Sequence, residues 1–172
     1  MVVGRFEEES YVALVSARWT ALHRTAFLLT GNQADADELL QEALTKAYAS
    51  WVRVSRADHP EAYLHRLLVN ELLSQRRRVR WARERLGLPT RDTAERSHEA
   101  GTVDRLELWA RLHQLPPRQR AVIVLRYYQD WTEAQTAAAL GCAVGTVKSQ
   151  AAAALKTLQT RMGDPDATEV ER

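Results

Sequence analysis

The residue types that usually carry catalysis or hold metals are dispersed along this chain of 172 residues. Five histidines stand apart from one another, and no pair has the His-Glu-x-x-His spacing of a zinc site. Cys142 is the single cysteine, so an internal disulfide is impossible, which is typical of a reducing compartment. The sequence has no glycine-rich phosphate loop and no Gly-x-Ser-x-Gly elbow. We therefore expect no enzyme, no metal site and no cofactor.

An arginine-rich stretch offers non-covalent chemistry instead. Residues 66 to 85 hold seven arginines against two glutamates, and include Gln75-Arg-Arg-Arg-Val-Arg-Trp81. Guanidinium groups pair with phosphates, and an indole ring stacks on unpaired bases. This composition favours a nucleic-acid surface. A solvated charged face and a basic helix lying on a membrane are the alternatives.

An acidic stretch without any basic residue lies upstream, at Asp35-Ala-Asp-Glu-Leu-Leu-Gln-Glu42. Acids in the first turns of a helix interact favourably with its dipole, which is the simplest explanation for Asp35, Asp37 and Glu38. Glu42 lies too far along the helix for that explanation. Together with Glu38 and Gln41 it forms a polar, acidic surface that suits a basic partner.

The stretch from Trp131 to Gln150 has the pattern of a helix-turn-helix. Thr132 and Gln135 have the spacing of a capping box, and Gly141 is placed to end the first helix in a left-handed conformation. The apolar stripe of the second helix consists of Val144, Val147, Ala151, Ala154, Leu155 and Leu158. Polar side chains that can bond base edges and phosphates in a major groove are Thr146, Lys148, Ser149, Gln150 and Lys156. Ordinary helical bundles share this alanine-rich pattern, so it does not by itself establish DNA binding.

Helical periodicity extends through most of the chain, and no strand pattern or repeat occurs. We expect helices over 6–30, over 34–51, and from Pro60 into the arginine run, with a loop over 52–58. Further helices are expected over 103–114, 117–129, 132–140 and 144–160. The expected inward residues of the first helix are Val12, Val15, Trp19, Leu22, Ala26 and Leu29.

The composition divides these helices into two groups. Residues 87–102 are polar and mixed in charge, which predicts a flexible linker. We therefore predict an all-α fold with two small helical domains, 1–86 and 103–162, followed by an acidic tail over 163–172. The first residues do not form a signal peptide, and no apolar run approaches the ~20 residues that span a bilayer. These two features predict a cytoplasmic protein.

Four stretches together resemble the bacterial RNA polymerase sigma factors of the extracytoplasmic-function (ECF) group. They are Asp35–Glu42, Pro60-Glu-Ala-Tyr-Leu-His-Arg-Leu-Leu-Val-Asn70 with its arginine run, Leu115-Pro-Pro-Arg-Gln-Arg120, and Gly141-Cys-Ala-Val-Gly-Thr-Val-Lys-Ser149. The resemblance covers roughly residues 6 to 160. The helix-turn-helix sequence pattern also occurs in response-regulator output domains, whereas the four stretches in this order are specific to the ECF group.

The resemblance implies a role for each surface, with core RNA polymerase (its β and β′ subunits) and promoter DNA as partners. The residues implied to bind the coiled coil of the β′ clamp are Asp37, Glu38, Gln41 and Glu42. The loop from Arg53 to His59, including Arg56, would read a flipped base of the −10 element. The −10 contacts implied along the third helix are Asn70, Arg76, Arg77, Arg80 and Trp81. The helix carrying Thr146, Lys148, Ser149, Gln150 and Lys156 would read the −35 element as duplex. An anti-sigma factor is a further possible partner by the same resemblance.

The sequence departs from the family at one place in the recognition helix. Members usually carry an arginine where Ala153 stands, often after a serine where Ala152 stands. One phosphate anchor is therefore absent, which predicts weaker or altered −35 binding. The competing interpretation is a stand-alone helix-turn-helix regulator, which would bind duplex operators as a dimer and would not need Glu38, Gln41 and Glu42.

Overall fold

The structure, a computed structural model, describes residues 5–86 and 103–160 of the chain. The chain divides into two compact units, Met1–Thr93 and Ala94–Arg172. Both units are built from helices, which confirms the predicted all-α fold. The expected linker over 87–102 and the expected acidic tail lie outside the described residues. None of the described helices is long and apolar enough to cross a membrane.

The first unit contains α1 (Arg5–Thr30), α2 (Gln33–Ala49), α3 (Trp51–Ser55) and α4 (Pro60–Arg85). Helices α1, α2 and α4 pack against one another in pairs. Gly31, with φ of 97°, allows the chain to turn between α1 and α2. The side chain of Asn32 then caps α2 by accepting a hydrogen bond from the Asp35 amide at 2.8 Å. The largest fully buried apolar side chains of this unit are Leu22, Leu29, Leu39, Leu40, Leu64, Leu68, Val54 and Val69.

Two of the residues expected inside α1 lie outside. Leu22, Ala26 and Leu29 are buried, whereas Val12 is 54% exposed and Trp19 is 49% exposed. Those two lie at the edge of the helix face that Leu22 and Leu29 bury. At the N-terminal end the inward position belongs to Tyr11, whose hydroxyl donates to the Leu44 carbonyl at 3.1 Å.

The boundary predicted after α2 is also wrong. Helix α2 ends at Ala49, and Trp51, expected at the end of that helix, begins a separate short helix α3 that runs into the stretch 52–58 expected to be a loop. Trp51 is buried, because this turn carries it beneath α1. There its indole N–H donates to Ser10 Oγ at 2.8 Å, and its ring packs edge-on against Tyr11 with centroids 5.3 Å apart.

The second unit contains α5 (Val103–Gln114), α6 (Pro117–Ile123), α7 (Glu133–Leu140) and α8 (Val144–Thr160). Helix α6 continues into a π-helical turn, Val124–Tyr128, so the helix expected over 117–129 has the right extent with a wider last turn. Arg120 is 4% exposed and donates to the carbonyls of His113 and Leu115 at 2.8 and 3.1 Å. These bonds hold the end of α5 against the start of α6.

The local signals predicted for the helix-turn-helix are confirmed. The backbone N–H of Gln135 donates to Thr132 Oγ1 at 3.1 Å, and the backbone N–H of Thr132 donates to the side-chain oxygen Oε1 of Gln135 at 2.8 Å. Gly141 has φ of 60°, a left-handed conformation that ends α7. Val147 and Ala154 anchor α8 with no exposure. Val144 and Leu155, also expected inside, are 40% and 36% exposed because they lie at the edges of the buried stripe.

Candidate partner and nucleic-acid interfaces

The acidic residues of α2 lie opposite its buried side, which consists of Ala36, Leu39, Leu40, Ala43 and Ala47. Glu38 and Gln41 are exposed, and their side chains make no hydrogen bond or ion pair with the described residues. Asp37 and Glu42 flank them and are both engaged within the unit. Glu38 and Gln41 therefore form the centre of this surface. We call the four residues Asp37, Glu38, Gln41 and Glu42 the acidic face.

Each flank of the acidic face is tied to a different helix. His23 Nε2 of α1 lies 2.9 Å from Asp37 Oδ1. Trp19 stacks on the His23 ring with centroids 6.5 Å apart and planes inclined by 23°. On the other flank, the Arg78 guanidinium of α4 lies 3.6 Å from Glu42 Oε2. Sequence reasoning did not find the two ion pairs, because each joins residues on different helices.

A buried carboxylate joins α2 to α4 beside the acidic face. The Glu71 side chain is only 1% exposed, and it accepts hydrogen bonds from Lys46 and, at 2.8 Å, from Arg78. Burial by itself raises the pKa of Glu71, but the hydrogen bonds with the Lys46 and Glu42 side chains and the positive charges of Lys46 and Arg78 outweigh burial and hold the pKa below its ordinary value of 4.5. Glu71 is therefore a carboxylate in the folded protein and fixes α4 on α2.

The predicted −10 residues occupy an exposed side of α4. Asn70, Arg77 and Trp81 are spaced by seven and four residues, so at about 100° per residue they lie along one line of the helix. All three are exposed, and Trp81 is 58% exposed. Arg80 is exposed nearby and lies 3.5 Å from Glu84. Arg76 is exposed but lies on another side of the helix from Asn70.

Sequence reasoning missed two residues on the same side of α4. Arg66 is exposed one turn before Asn70, and Tyr63 is half-buried two turns before it. Their spacing of four and seven residues from Asn70 is the signal that would have found them. They extend the line formed by Asn70, Arg77 and Trp81, which we call the α4 stripe.

The two arginines expected in a base-reading loop have different surroundings. Arg53 belongs to α3, so the expectation that it lies in a loop is wrong. Arg56 follows α3 in the turn that leads to His59, the residue before α4. Both side chains are exposed. The short helix forms because Val54 is buried with Trp51, which leaves Arg53 on the outer side.

The polar side of α8 is exposed as the sequence predicts. Thr146, Lys148, Ser149 and Lys156 are exposed, and Gln150 is half-buried. Lys148 Nζ lies 3.5 Å from Glu133 Oε2 of α7, a contact that the sequence did not suggest. Ala152 and Ala153 are exposed and leave bare methyl groups on the outer side of α8. Among the described residues, no cluster of three or more His, Cys, Asp or Glu side chains could hold a metal ion.

Comparisons with known proteins match two separate parts of the chain. The family model for Sigma-70 region 2 matches residues 14–82, and the model for Sigma-70 region 4 matches residues 105–158. The RNA polymerase sigma-E factor of Streptomyces coelicolor is 36% identical, over 96% of this chain and 93% of its own length. The ECF RNA polymerase sigma factor SigL of Mycobacterium tuberculosis is 33% identical, over 86% of this chain and 85% of its own length. The chain belongs to the ECF sigma factors.

A solved structure gives the same fold for a sigma factor. The sigma factor RpoE of Bartonella quintana, crystallised with the anti-sigma factor NepR, superposes with a TM-score of 0.71 at 28% identity. The match covers 90% of this chain and 97% of that one. In this chain, the part that matches region 2 contains the acidic face and the α4 stripe, and the part that matches region 4 contains the helix-turn-helix.

Membership determines the general activity. A sigma factor is the promoter-specificity subunit that binds core RNA polymerase and directs transcription initiation at promoter DNA. The interpretation as a stand-alone helix-turn-helix regulator is not favoured, because region 2 is matched over most of the first unit.

Proposed function

We propose that the two units of this sigma factor divide promoter recognition between a melted strand and an intact duplex. The first unit docks on core polymerase through the acidic face and holds the −10 element along the α4 stripe. The second unit reads the −35 element as duplex through α8. The observation that carries this proposal is the alignment of Asn70, Arg77 and Trp81 on one exposed side of α4.

The α4 stripe combines the groups that a parted strand requires. An exposed indole offers a face on which an unpaired base stacks, and the arginines bind phosphates without regard to sequence. Asn70 adds an amide that both donates and accepts hydrogen bonds, and so discriminates between bases. Arg76 and Arg80 contribute charge at the margins of the stripe. Arg53 and Arg56 lie just before α4, where they attract the strand and help to hold an extruded base.

The acidic face suits a basic helical partner, for which we propose the β′ coiled coil of core polymerase. Glu38 and Gln41 carry most of the binding energy, because their side chains make no bond with the described residues that docking must break. Asp37 and Glu42 contribute less, since each already has a partner in the free protein. The β subunit is a further contact of the assembled enzyme.

The polar face of α8 suits the major groove. Thr146 and Gln150 reach base edges, while Lys148 and Lys156 contact phosphates. Ser149 Oγ already donates to the Thr146 carbonyl at 3.0 Å, so it acts towards DNA as an acceptor. Ala152 and Ala153 supply only methyl contacts, so duplex binding by this unit is weak without polymerase.

Three further properties follow from this role. The chain itself performs no catalysis, because RNA synthesis belongs to core polymerase. It acts where the bacterial chromosome lies, in the cytoplasm. The similarity to a sigma factor crystallised with an anti-sigma factor supports a regulatory partner of that kind for this chain as well.

The docking assignment is tested by co-elution with core polymerase. Glu38→Ala combined with Gln41→Ala abolishes co-elution and leaves the far-UV circular dichroism of a helical protein unchanged. The matched control is Glu61→Ala, which removes an exposed acid of the same unit that pairs with Arg18 at 2.6 Å. Unchanged co-elution of the double variant, or equal loss in the control, contradicts the assignment.

The −10 assignment is tested with two promoter templates that differ only in whether the −10 element is already unpaired. Trp81→Ala lowers binding of the holoenzyme to both templates, because stacking on one base is worth about 1–3 kcal/mol. Arg83→Ala is the matched control, since Arg83 lies on the opposite side of α4 and is half-buried. Equal effects of the two substitutions would show that the α4 stripe does not hold the strand.

A further inference from the structure

The positive charge on the helix-turn-helix is small for a duplex-binding surface. From Trp131 to Thr160 the chain contains two basic residues, Lys148 and Lys156, and one acidic residue, Glu133. Duplex affinity that does not depend on sequence comes mainly from basic side chains that neutralise phosphates. Each lysine of α8 therefore accounts for a large share of that affinity.

Three arginines in the described part of the second unit are used within the fold. Arg118 donates to the Leu140 carbonyl at 3.2 Å, and Arg120 donates to the carbonyls of His113 and Leu115. Arg126 donates to the Trp131 carbonyl. These bonds hold helix ends and connecting turns, and they direct the guanidinium groups to the backbone of the unit. The lysines of α8 are thus the cations placed on the groove-reading helix itself.

Lys148 is engaged by an acidic side chain from the preceding helix. Its Nζ lies 3.5 Å from Glu133 Oε2, with the two side chains 63% and 37% exposed. This distance lies well inside the Debye length of about 8 Å at physiological ionic strength, so salt does not screen the pair completely. To reach a phosphate, the ammonium group must leave the carboxylate or bring a negative charge close to the DNA.

We propose that Glu133 attenuates the phosphate contact of Lys148 and so lowers the affinity of the helix-turn-helix for duplex DNA of any sequence. This inference rests on the proposed reading of the −35 element by α8. Glu133 contacts no base and acts only through Lys148, so it is a positioning residue. Its effect leaves promoter choice to the base contacts of Thr146 and Gln150 and to the attachment of the sigma factor to polymerase.

The test measures binding of holoenzyme, assembled from the full-length chain, to a DNA fragment that carries only the −35 duplex. Glu133→Gln keeps the shape of the side chain and removes its charge. It tightens binding roughly two- to five-fold, the range expected for an exposed ion pair. It also makes the slope of log affinity against log salt steeper by up to about 0.9, the value for one additional neutralised phosphate. A scrambled duplex gains by the same factor, so the preferred bases are unchanged.

Two further variants separate this role from general charge or stability effects. In a Lys148→Ala background, Glu133→Gln has no effect on DNA binding, although any loss of dipole stabilisation at the start of α7 persists in the melting temperature. Asp130→Asn is the matched control and leaves binding unchanged. It removes a nearby charge that has no ion pair with Lys148, and asparagine tolerates the φ of 52° at this position.

The outcomes distinguish this inference from the proposed function. Unchanged affinity of Glu133→Gln, an equal gain in the Lys148→Ala background, or an altered base preference overturns the role of Glu133. Thr146→Ala and Gln150→Ala test the reading of the −35 element independently. If these two variants leave the −35 preference intact, the proposed function of α8 fails. If these two variants alter the −35 preference while Glu133→Gln leaves DNA affinity unchanged, the proposed role of Glu133 is wrong and the proposed function of α8 stands.

Discussion

Glu71→Gln is the substitution that best tests how the first unit is held together. The Glu71 side chain is 1% exposed and binds Lys46 and Arg78, which are 51% and 60% exposed. Glutamine has nearly the same volume but carries no charge, and its amide N–H cannot accept a bond from either cation. The substitution therefore removes one charge-assisted hydrogen bond between α2 and α4 (from Lys46) and one within α4 (from Arg78) without creating a cavity.

The expected loss of unfolding free energy is about 2 kcal/mol at pH 7. Two hydrogen bonds to a charged group contribute roughly 1.5–3 kcal/mol each. The loss is smaller than their sum because Lys46 and Arg78 are about half exposed and regain water when the carboxylate is removed. For the same reason the cost lies below the roughly 3–5 kcal/mol of stranding a buried charge.

Urea unfolding followed by circular dichroism measures this loss, and amide hydrogen exchange of α2 and α4 assigns the transition to the first unit. The matched control is Glu61→Gln, because Glu61 pairs with Arg18 on the surface with 47% of its side chain exposed. That pair is worth about 0–1 kcal/mol. Equal stability of Glu71→Gln and the wild type, or equal losses in both variants, would refute the reasoning.

The pH dependence gives a second readout of the same contact. The pKa of Glu71 in the folded protein is lower than its ordinary value of 4.5, so the unfolded chain binds the proton more tightly. The stability from this group is complete above pH 4.5 and is lost as the pH falls through the folded pKa. The difference between wild type and Glu71→Gln should therefore shrink in acid. A difference that stays constant down to pH 2 would show that charge does not cause it.

Two other changes have separate signatures. Burial lowers the pKa of His65 from 6.5 to about 4, so the unfolded chain takes up a proton first as the pH falls, and stability is lost between pH 6.5 and 4. His65→Gln should therefore flatten the dependence of unfolding free energy on pH for the first unit in this range. An unchanged slope of unfolding free energy against pH would contradict this. Thr132→Ala removes the capping hydroxyl of α7 and should lower the stability of the second unit by about 1 kcal/mol in calorimetry. Thr157→Ala is the control, because the Thr157 hydroxyl donates only to the Ala153 carbonyl of its own helix, at 3.0 Å. This substitution should lower the stability of the second unit little.

The helices and their caps could be predicted because their causes are local in the chain. The capping box of Thr132 and Gln135 and the left-handed Gly141 depend on residues within one turn of each other, and both were predicted correctly. Periodicity failed to predict burial where the apolar residues of a helix extend beyond the side that packs on other helices, as at Val12 and Trp19 of α1. It failed again at Trp51, where a turn at Ser50 rather than a longer α2 brings the ring beneath α1.

The sequence by itself determined the all-α class, the positions of most helices and the family to which this sigma factor belongs, since local periodicity and ordered motifs contain that information. Only the tertiary structure decided which charged residues of each surface are already paired. The contacts of Asp37 with His23, of Arg78 with Glu71, and of Lys148 with Glu133 join residues 14, 7 and 15 positions apart. Two of them cross between helices, and all depend on how side chains are oriented and packed. Coulomb energy depends on distance in space, and composition along the chain does not specify that distance.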